Sequence, residues 1–305
     1  MHISVVSPVY RAENIVAELV NRLVVELSKI TNDFEIILVE DCGPDNSWLK
    51  ILEETKKDAR VKGIKLSRNF GQHHAITAGL DVSSGDWIIV MDCDLQDRPE
   101  EITHLYNEAQ KGFDIVFARR AERQDRFIKT FTSKMFYKVF SYLSGIEQDG
   151  TIANFGIYSR KVINSINSMR ESMRAFSPMA RWVGFKKTAI DVTHAERFEG
   201  NTSYSWNKLI NLALDIAIAY SDKPLKLAIK LGFSISLFSL LYAIYNVFAY
   251  MTGIITVNGY ASIIVSIWFL SGLIIFILGI VGLYIGKTFE GMKQRPLYLI
   301  DERTF

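Results

Sequence analysis

Apolar residues along this chain come in two kinds of run. The first kind is short. Ile3–Ser7 is stopped by Pro8, and Phe34–Val39, Val61–Leu66, Trp87–Met91 and Asp114–Ala118 repeat the theme. Runs of this length, bounded by turn formers, predict buried strands. Between them the spacing changes to that of a helix. Glu13–Ile30 puts Ile15, Leu19, Leu23 and Leu27 on one stripe, and Ser47–Lys57, Gln72–Asp81 and Pro99–Gln110 are further helical segments. Pro99 suits a first helical turn. Strands alternating with helices predict an α/β fold with a mostly parallel sheet covered on both faces.

The second kind of run is long. No charged residue occurs between Lys230 and Lys287. That stretch divides into two segments, near Leu227–Met251 and Ala261–Gly286, joined through Thr252, Gly253, Asn258 and Gly259. Each has the roughly 20 apolar residues needed to cross a bilayer, and both exceed an ordinary buried helix. Lys223, Lys226 and Lys230 precede the first span, and Lys287, Lys293 and Arg295 follow the second, while the join has no Lys or Arg. The positive-inside rule then predicts a multi-pass protein with both flanks, and everything before Leu225, in the cytoplasm. Met1–Tyr10 has neither a basic n-region nor a small-residue cleavage site, so it does not read as a signal peptide.

Charge and cysteine content narrow the field. The 35 Lys+Arg and 33 Asp+Glu nearly cancel, giving a formal net charge of +2. A nucleic-acid binder would carry a basic excess, so no nucleic-acid partner is expected. Cys42 and Cys93 are the two cysteines of a chain of 305 residues, which excludes a disulfide scaffold and fits a reducing compartment.

In parallel sheets ligands bind beyond the carboxyl ends of the strands. The second run is followed there by Glu40-Asp41-Cys42-Gly43-Pro44-Asp45 and the fourth by Asp92-Cys93-Asp94-Leu95-Gln96-Asp97. Two strand ends therefore deliver carboxylates to one edge, where they need a cation or many donors. Asp92 and Asp94 are two apart, so on an extended segment they face one way. That suits a hard divalent cation that also holds substrate phosphates. No Gly-x-Gly-x-x-Gly follows a strand, so a dinucleotide cofactor is not expected. Gly286-Lys287-Thr288 lacks the first glycine of a P-loop, its place being taken by Val281. His73-His74 reads as a helix start or surface pair rather than a metal site.

Two segments read as interfacial. Arg126–Leu143 interleaves Phe127, Ile128, Phe131, Met135, Phe136, Tyr137 and Phe140 with Arg126, Lys129, Lys134 and Lys138. Tyr204–Tyr220 carries Trp206, Leu209, Leu212, Leu214 and Ile216. Aromatic–basic mixtures of this kind suit helices lying in a membrane surface.

At this point the motifs carry a resemblance. They are Ser7-Pro8-Val9-Tyr10, Val39-Glu40-Asp41, Leu66-Ser67-Arg68-Asn69-Phe70-Gly71, the Asp92–Asp97 segment, Arg119, Arg181-Trp182-x-Gly184-Phe185 and Arg197-x-x-Gly200-x-x-Ser203-Tyr204. The head resembles inverting family 2 glycosyltransferases with a glycosyltransferase A-type fold. Within them the chain is similar to polyprenyl-phosphate glycosyltransferases, that is, dolichyl-phosphate mannose synthases and bacterial undecaprenyl-phosphate sugar transferases. The resemblance covers nearly the whole chain, including the two C-terminal spans. Three positions depart from the family pattern. Arg11-Ala12 stands where an Asn-Glu pair is usual, with Glu13 nearby, Glu40-Asp41-Cys42-Gly43 where Asp-Asp-Gly-Ser is usual, and Arg98 where a proline is common.

The resemblance implies roles. Pro8, Tyr10, Glu13, Asp41 and Asn69 would bind the nucleotide, together with Asp92. Asp92, Asp94 and Gln96 would hold Mg2+ or Mn2+ and the donor diphosphate. Arg119, Lys129, Ser133 and Arg197 would meet the lipid phosphate, Arg197 from a mobile loop, and Asp94, Arg119 and Arg197 would be catalytic. Trp182 is read as packing. The implied division is a nucleotide-sugar-binding catalytic domain over residues 1–125, acceptor-side and interfacial helices over 126–224, and a two-span hairpin with its tail over 225–305. The implied reaction moves a sugar, with inversion, from a nucleotide diphosphate sugar to polyprenyl phosphate at the cytoplasmic face of a bacterial inner membrane. A UDP-hexose such as UDP-glucose is the expected donor by analogy with bacterial members, the product would serve a cell-envelope or lipopolysaccharide-type glycan, and a homo-tetramer is compatible with close relatives. A processive polysaccharide synthase would need more spans and a Gln-x-x-Arg-Trp motif, whose Gln position here is Pro178. A non-enzymatic two-span scaffold is the other alternative.

Overall fold

The computed structural model describes residues 2–120, 152–171, 174–193, 223–252 and 259–305. Two compact units emerge. One gathers the N-terminal residues, 148–203 and the C-terminal 295–305, and the other contains the two long helices.

The first unit is built on an eight-stranded sheet. In chain order its elements are β1 (Ile3–Val9), α1 (Val16–Ser28), β2 (Phe34–Glu40), α2 (Ser47–Lys57), β3 (Val61–Leu66), α3 (Gln72–Val82), β4 (Trp87–Val90), a 3-10 turn at Pro99–Glu101, α4 (Ile102–Ala109) and β5 (Ile115–Arg120). There follow β6 (Ile152–Ser159), α5 (Arg160–Ser168), α6 (Phe176–Trp182), β7 (Lys187–Val192) and, from the C-terminus, β8 (Ile300–Arg303). The strands lie in the order β7-β5-β6-β4-β1-β2-β3-β8. β1 pairs in parallel with β2 and β4, and β2 with β3. β6 runs antiparallel between β4 and β5, and β7 is parallel to β5. The carboxyl ends of β1 to β5 and β7 therefore share one edge.

The burial pattern explains why near-continuous apolar runs become strands. Successive residues of one strand enter opposite layers. Val5, Ile36 and Ile89 pack in the layer of Leu19, Leu23 and Leu105. Val6, Ile37 and Ile88 pack with Ile76, Leu80, Val162 and Ile163 in the other. Both faces are covered, which is why strict alternation is missing from the sequence. Gly79 shows how tightly α3 lies on β1, since a Cβ there would stand 2.4 Å from Val6 Cγ1.

The five strands and four helices read from the first 120 residues are all present. The region between 126 and 224 contributes more than interfacial segments, because its described residues supply β6, α5, α6 and β7 to the sheet and its cover. Trp182 corrects the packing expectation. Phe176, Met179 and Ala180 take the buried stripe of α6, and Trp182 falls off it, 72% exposed. Arg126–Leu143 and Tyr204–Tyr220, the proposed interfacial segments, lie outside the described residues.

The second unit holds α7 (Lys223–Met251) and α8 (Tyr260–Met292). Their outward side chains are apolar. Phe233, Phe238, Leu241 and Phe248 on α7 and Ile274, Ile275, Phe276 and Leu278 on α8 are exposed. A core helix would bury such residues. Phe269–Met292 is long and apolar enough to cross a membrane. The Gly286-Lys287-Thr288 triplet is interior to α8, so no phosphate-binding loop forms there.

Candidate active site at the carboxyl edge of the sheet

The loops leaving β1, β2 and β4 share a backbone feature. Arg11, Cys42 and Leu95, none of them glycine, have φ of 53°, 50° and 58°. Side chains rarely adopt this region, and where they do the surrounding structure must hold them there. Gly71, after β3, has φ of 95° and supplies the turn into α3 without that penalty.

Hydrogen bonds lace these loops together. Between the β1 and β2 loops, Asn46 N donates to Glu13 Oε2 at 2.9 Å and Glu13 N to Asp45 Oδ2 at 3.2 Å. Ala12 N donates to Ser47 Oγ at 2.9 Å. Glu40, itself buried, accepts from Gly43 N within the β2 loop, and burial pushes its carboxyl above the ordinary range.

Asp41 is 3% exposed. Its Oδ1 accepts from Phe70 N at 2.7 Å and its Oδ2 from Gly71 N at 2.8 Å. Burial raises its pKa, and the two N–H donors work against that rise. Asp41 thus ties the β2 end to the Ser67–Gly71 loop. The next residue, Gln72, continues the chain of contacts, with Nε2 donating to Asp92 Oδ1 at 2.5 Å. Asp94 Oδ1 accepts from Gln96 N at 3.1 Å, which closes the β4 loop on itself. The expected nucleotide and metal residues of β2, the β3 loop and β4 are in this way one connected edge.

The other candidates fall as follows. Pro8 is buried in β1, paired with Val39 of β2. Tyr10 is exposed at the end of β1, with the Arg11 guanidinium 5.4 Å from its ring centre. Asn69 is exposed in the β3 loop, where its carbonyl accepts from Arg68, whose guanidinium lies 4.0 Å from the Phe70 ring centre. Arg119 sits near the end of β5 and donates from Nε to Asp191 Oδ1 at 2.5 Å across the β5–β7 register. Lys129, Ser133 and Arg197 lie outside the described residues.

His73 and His74 occupy the first turn of α3, as their helix-start reading expected. Burial brings the His73 pKa down to about 4, and its Nδ1 accepts from Phe176 N at 3.4 Å. It is a neutral packing histidine. Cys93, between the two aspartates, is pushed up to about 12 by burial.

Sequence reasoning missed Gln72, the Asn46 and Ser47 partners that complete a clip with Asp45, and Asp191. Gln72 and the clip stand just beyond strand ends, so the rule that located the acidic loops reaches them as well. Asp191 lies on a strand whose pattern gave no signal.

Among the described residues no three His, Cys, Asp or Glu side chains form a metal-holding group. The donors at the β4 end are hard oxygens from Asp92, Asp94 and Gln96. One or two carboxylates completed by substrate phosphates is an ordinary arrangement for Mg2+, so the residues present fit such an ion.

Comparison with known proteins agrees with this geometry. Residues 4–166 match the model of Glycosyl transferase family 2. An uncharacterized glycosyltransferase of Synechocystis sp. is 37% identical over 99% of this chain and 95% of its own. A prophage bactoprenol glucosyl transferase homolog of Escherichia coli is 33% identical over 98% of both chains. The undecaprenyl-phosphate 4-deoxy-4-formamido-L-arabinose transferase of Proteus mirabilis is 32% identical over 98% of this chain and 93% of its own. Among solved structures, a mannosyltransferase from Pyrobaculum calidifontis in complex with GDP-Man and Mn2+ superposes with a TM-score of 0.51 at 12% identity, over 71% of this chain and 63% of that one, a likeness of fold.

Proposed function

The chain belongs to glycosyl transferase family 2, and from that premise we propose that it moves a hexose from a UDP-sugar to undecaprenyl or another polyprenyl phosphate, with inversion. The observation that carries this reading is the connected acidic edge running from Asp41 through Phe70, Gly71 and Gln72 to Asp92. The relatives from Escherichia coli and Proteus mirabilis, named for bactoprenol and undecaprenyl phosphate, support the acceptor class.

The acceptor phosphate is already an anion at neutral pH, so no strong general base is needed. The difficulty is to bring two anionic groups together in line and to let a diphosphate leave. Asp92, Asp94 and Gln96 would hold Mg2+ or Mn2+, which supplies charge neutralisation at the leaving diphosphate. Asp41 fixes the loop on which Asn69 is presented, and Tyr10 offers an exposed ring for the base. Arg119 presents a planar fork suited to phosphate oxygens. Its pairing with Asp191 is exposed, so an incoming phosphate displaces it at little cost. Lys129, Ser133 and Arg197 complete the acceptor side in this proposal. Holding both substrates in line can remove roughly 7–11 kcal/mol from the barrier.

A lipid acceptor requires a membrane site. The head sheet contains strands from before α7 and, as β8, from after α8. A chain whose two ends fold into one sheet crosses a membrane an even number of times. With α8 as one span, α7 is the other, and the positive-inside rule puts the head in the cytoplasm.

The test is incubation of purified membranes with radiolabelled nucleotide sugars and undecaprenyl phosphate, with and without chelator. Label should enter the lipid from one UDP-hexose and stop on chelation. Asp94→Asn should abolish turnover while the protein still inserts. Absence of labelled lipid with every donor would refute the reading, and normal transfer by Asp94→Asn would refute the metal site.

A further inference from the structure

The transfer proposed above has three parties, and strand order spaces them. The leaving diphosphate belongs to Asp92 and Asp94 after β4, and the incoming phosphate to Arg119 on β5. β6 lies between those two strands. Neighbouring strands stand roughly 4.8 Å apart, so β4 and β5 are roughly 10 Å apart with β6 midway. In-line displacement sets the anomeric carbon between the leaving and the attacking oxygen. The sugar being moved therefore sits over the end of β6.

The side chain at that place is Asn154. Val90 pairs with Gly156. One residue nearer the edge, Met91 and Phe155 enter the layer of Leu23 and Leu105. Asp92 and Asn154 then face the other layer together, that of Ile76 in α3 and Met179 in α6. Their partners agree. Gln72 of α3 donates to Asp92, and Ser177 of α6 donates from Oγ to Asn154 Oδ1 at 3.1 Å. On β5, Phe117 faces this layer and Ala118 the opposite one, which returns Arg119 to the side of Asn154.

β6 is irregular at this point. Phe117 pairs with Gly156 but Arg119 with Ile152, so Ala118 alone stands opposite residues 153–155. Extra residues in one strand release a side chain from the ladder and re-aim it, and such bulges recur beside active sites. Asn154 is half-buried, and with its oxygen taken by Ser177 it offers the two N–H donors of Nδ2. Among the described residues neither donor is spent in a hydrogen bond. A second polar group turns the same way. The Tyr158 ring leans along β6 toward the edge, because a Cβ on Gly156 would stand 2.9 Å from its hydroxyl. That hydroxyl is buried and has no hydrogen-bond partner among the described residues. A strand end with only a structural task would not keep two unspent polar groups side by side.

The geometry points to Asn154 as the residue that reads the transferred sugar: held by Ser177, its Nδ2 donates to a hydroxyl of the hexose between the diphosphate and the acceptor phosphate. This rests on the donor and acceptor sides assigned under the proposed function. The rival is that Asn154 and Ser177 merely brace α6 against β6.

Two alanine variants break that brace equally, and only one removes the donor. Titrating UDP-glucose and UDP, each with Mn2+, into the detergent-solubilised full chain separates the readings. In Asn154→Ala the affinity for UDP-glucose relative to UDP should fall about tenfold, the worth of one hydrogen bond. Ser177→Ala should change that ratio by less than about threefold. Equal changes in the two variants, or an unchanged ratio in Asn154→Ala, would overturn the assignment and leave the brace. A second measurement uses UDP-glucose analogues that lack one hydroxyl at a time. The native chain and Asn154→Ala should converge for one analogue, the one missing the hydroxyl that Asn154 meets. A constant difference across every analogue would mean that no hydroxyl is read, and would overturn it too. A chain that binds neither UDP nor UDP-glucose would instead sink the donor reading, and this inference with it.

Discussion

Replacing Asp41 by asparagine separates two ways in which this buried carboxylate could serve the donor site. In the structure both oxygens are spent on the Phe70 and Gly71 amides, at 2.7 and 2.8 Å. Hydrogen bonds to a charged acceptor contribute about 1.5–3 kcal/mol each. Asparagine keeps one acceptor, now neutral, and turns its NH2 toward the other N–H. One bond is lost and one is weakened, a gross loss of about 2–4 kcal/mol. Burial already disfavours the charged form of Asp41, so removing the charge recovers part of that loss. The net expectation is the lower end, about 2 kcal/mol, or roughly 30-fold in the opening equilibrium of the loop. Amide hydrogen exchange at Phe70 and Gly71, without nucleotide, reads this directly. Nucleotide affinity should fall with it. Exchange that is unchanged in Asp41→Asn would refute the anchoring role, and a fall in affinity on that background would make Asp41 a direct nucleotide contact instead.

Other outcomes follow from neighbouring features. Gln72→Ala should raise the divalent-cation concentration needed for half-maximal transfer by about tenfold, because Asp92 loses a neutral donor worth about 1.5 kcal/mol; an unchanged activation curve would exclude it. Cys42 is exposed and Cys93 is held protonated by burial, so a thiol reagent at neutral pH should label Cys42 alone, more slowly with UDP-sugar present, as peptide mass mapping would show. Glu35 lies buried at the opposite edge of the sheet. Burial alone would raise its pKa, yet bonds from Lys62, Ser4 and Ser84 bring it down to about 2. A depressed carboxylate adds stability above its unfolded pKa of about 4.3 and loses it as pH falls toward 2. Glu35→Gln should therefore cost on the order of 3 kcal/mol at pH 7 and much less near pH 2, measured as thermal midpoints across that range.

The head's first half was legible because its strands are buried on both faces and its helices are striped. Val5 and Val6, or Ile36 and Ile37, can both be apolar only if two layers receive them, and that is a parallel sheet's signature. Beyond Arg120 the signal fades. β6 contains Asn154 and Gly156 and β7 contains Lys187 and Asp191, so neither reads as an apolar run. β8 is Ile-Asp-Glu-Arg, exposed along its length, and only its pairing with β3 makes it a strand. At the site, residue types announced the carboxylates but not their partners. That Asp41 would hold Phe70 and Gly71, and Gln72 would hold Asp92, depends on strand order, which places β2 beside β3 and β1 between β2 and β4.

The order in which this sheet is completed has a biosynthetic consequence. β3 emerges early, but the strand that covers its outer edge is made only after both long helices. At about 5–20 residues per second, the 239 residues from Ser67 to Phe305 take roughly 12–48 s. Throughout that interval the nascent head presents unpaired backbone groups, the kind of edge that invites aggregation. That strand can dock only after both long helices have been synthesised, which makes closure of the catalytic domain a late report that the second unit has been made.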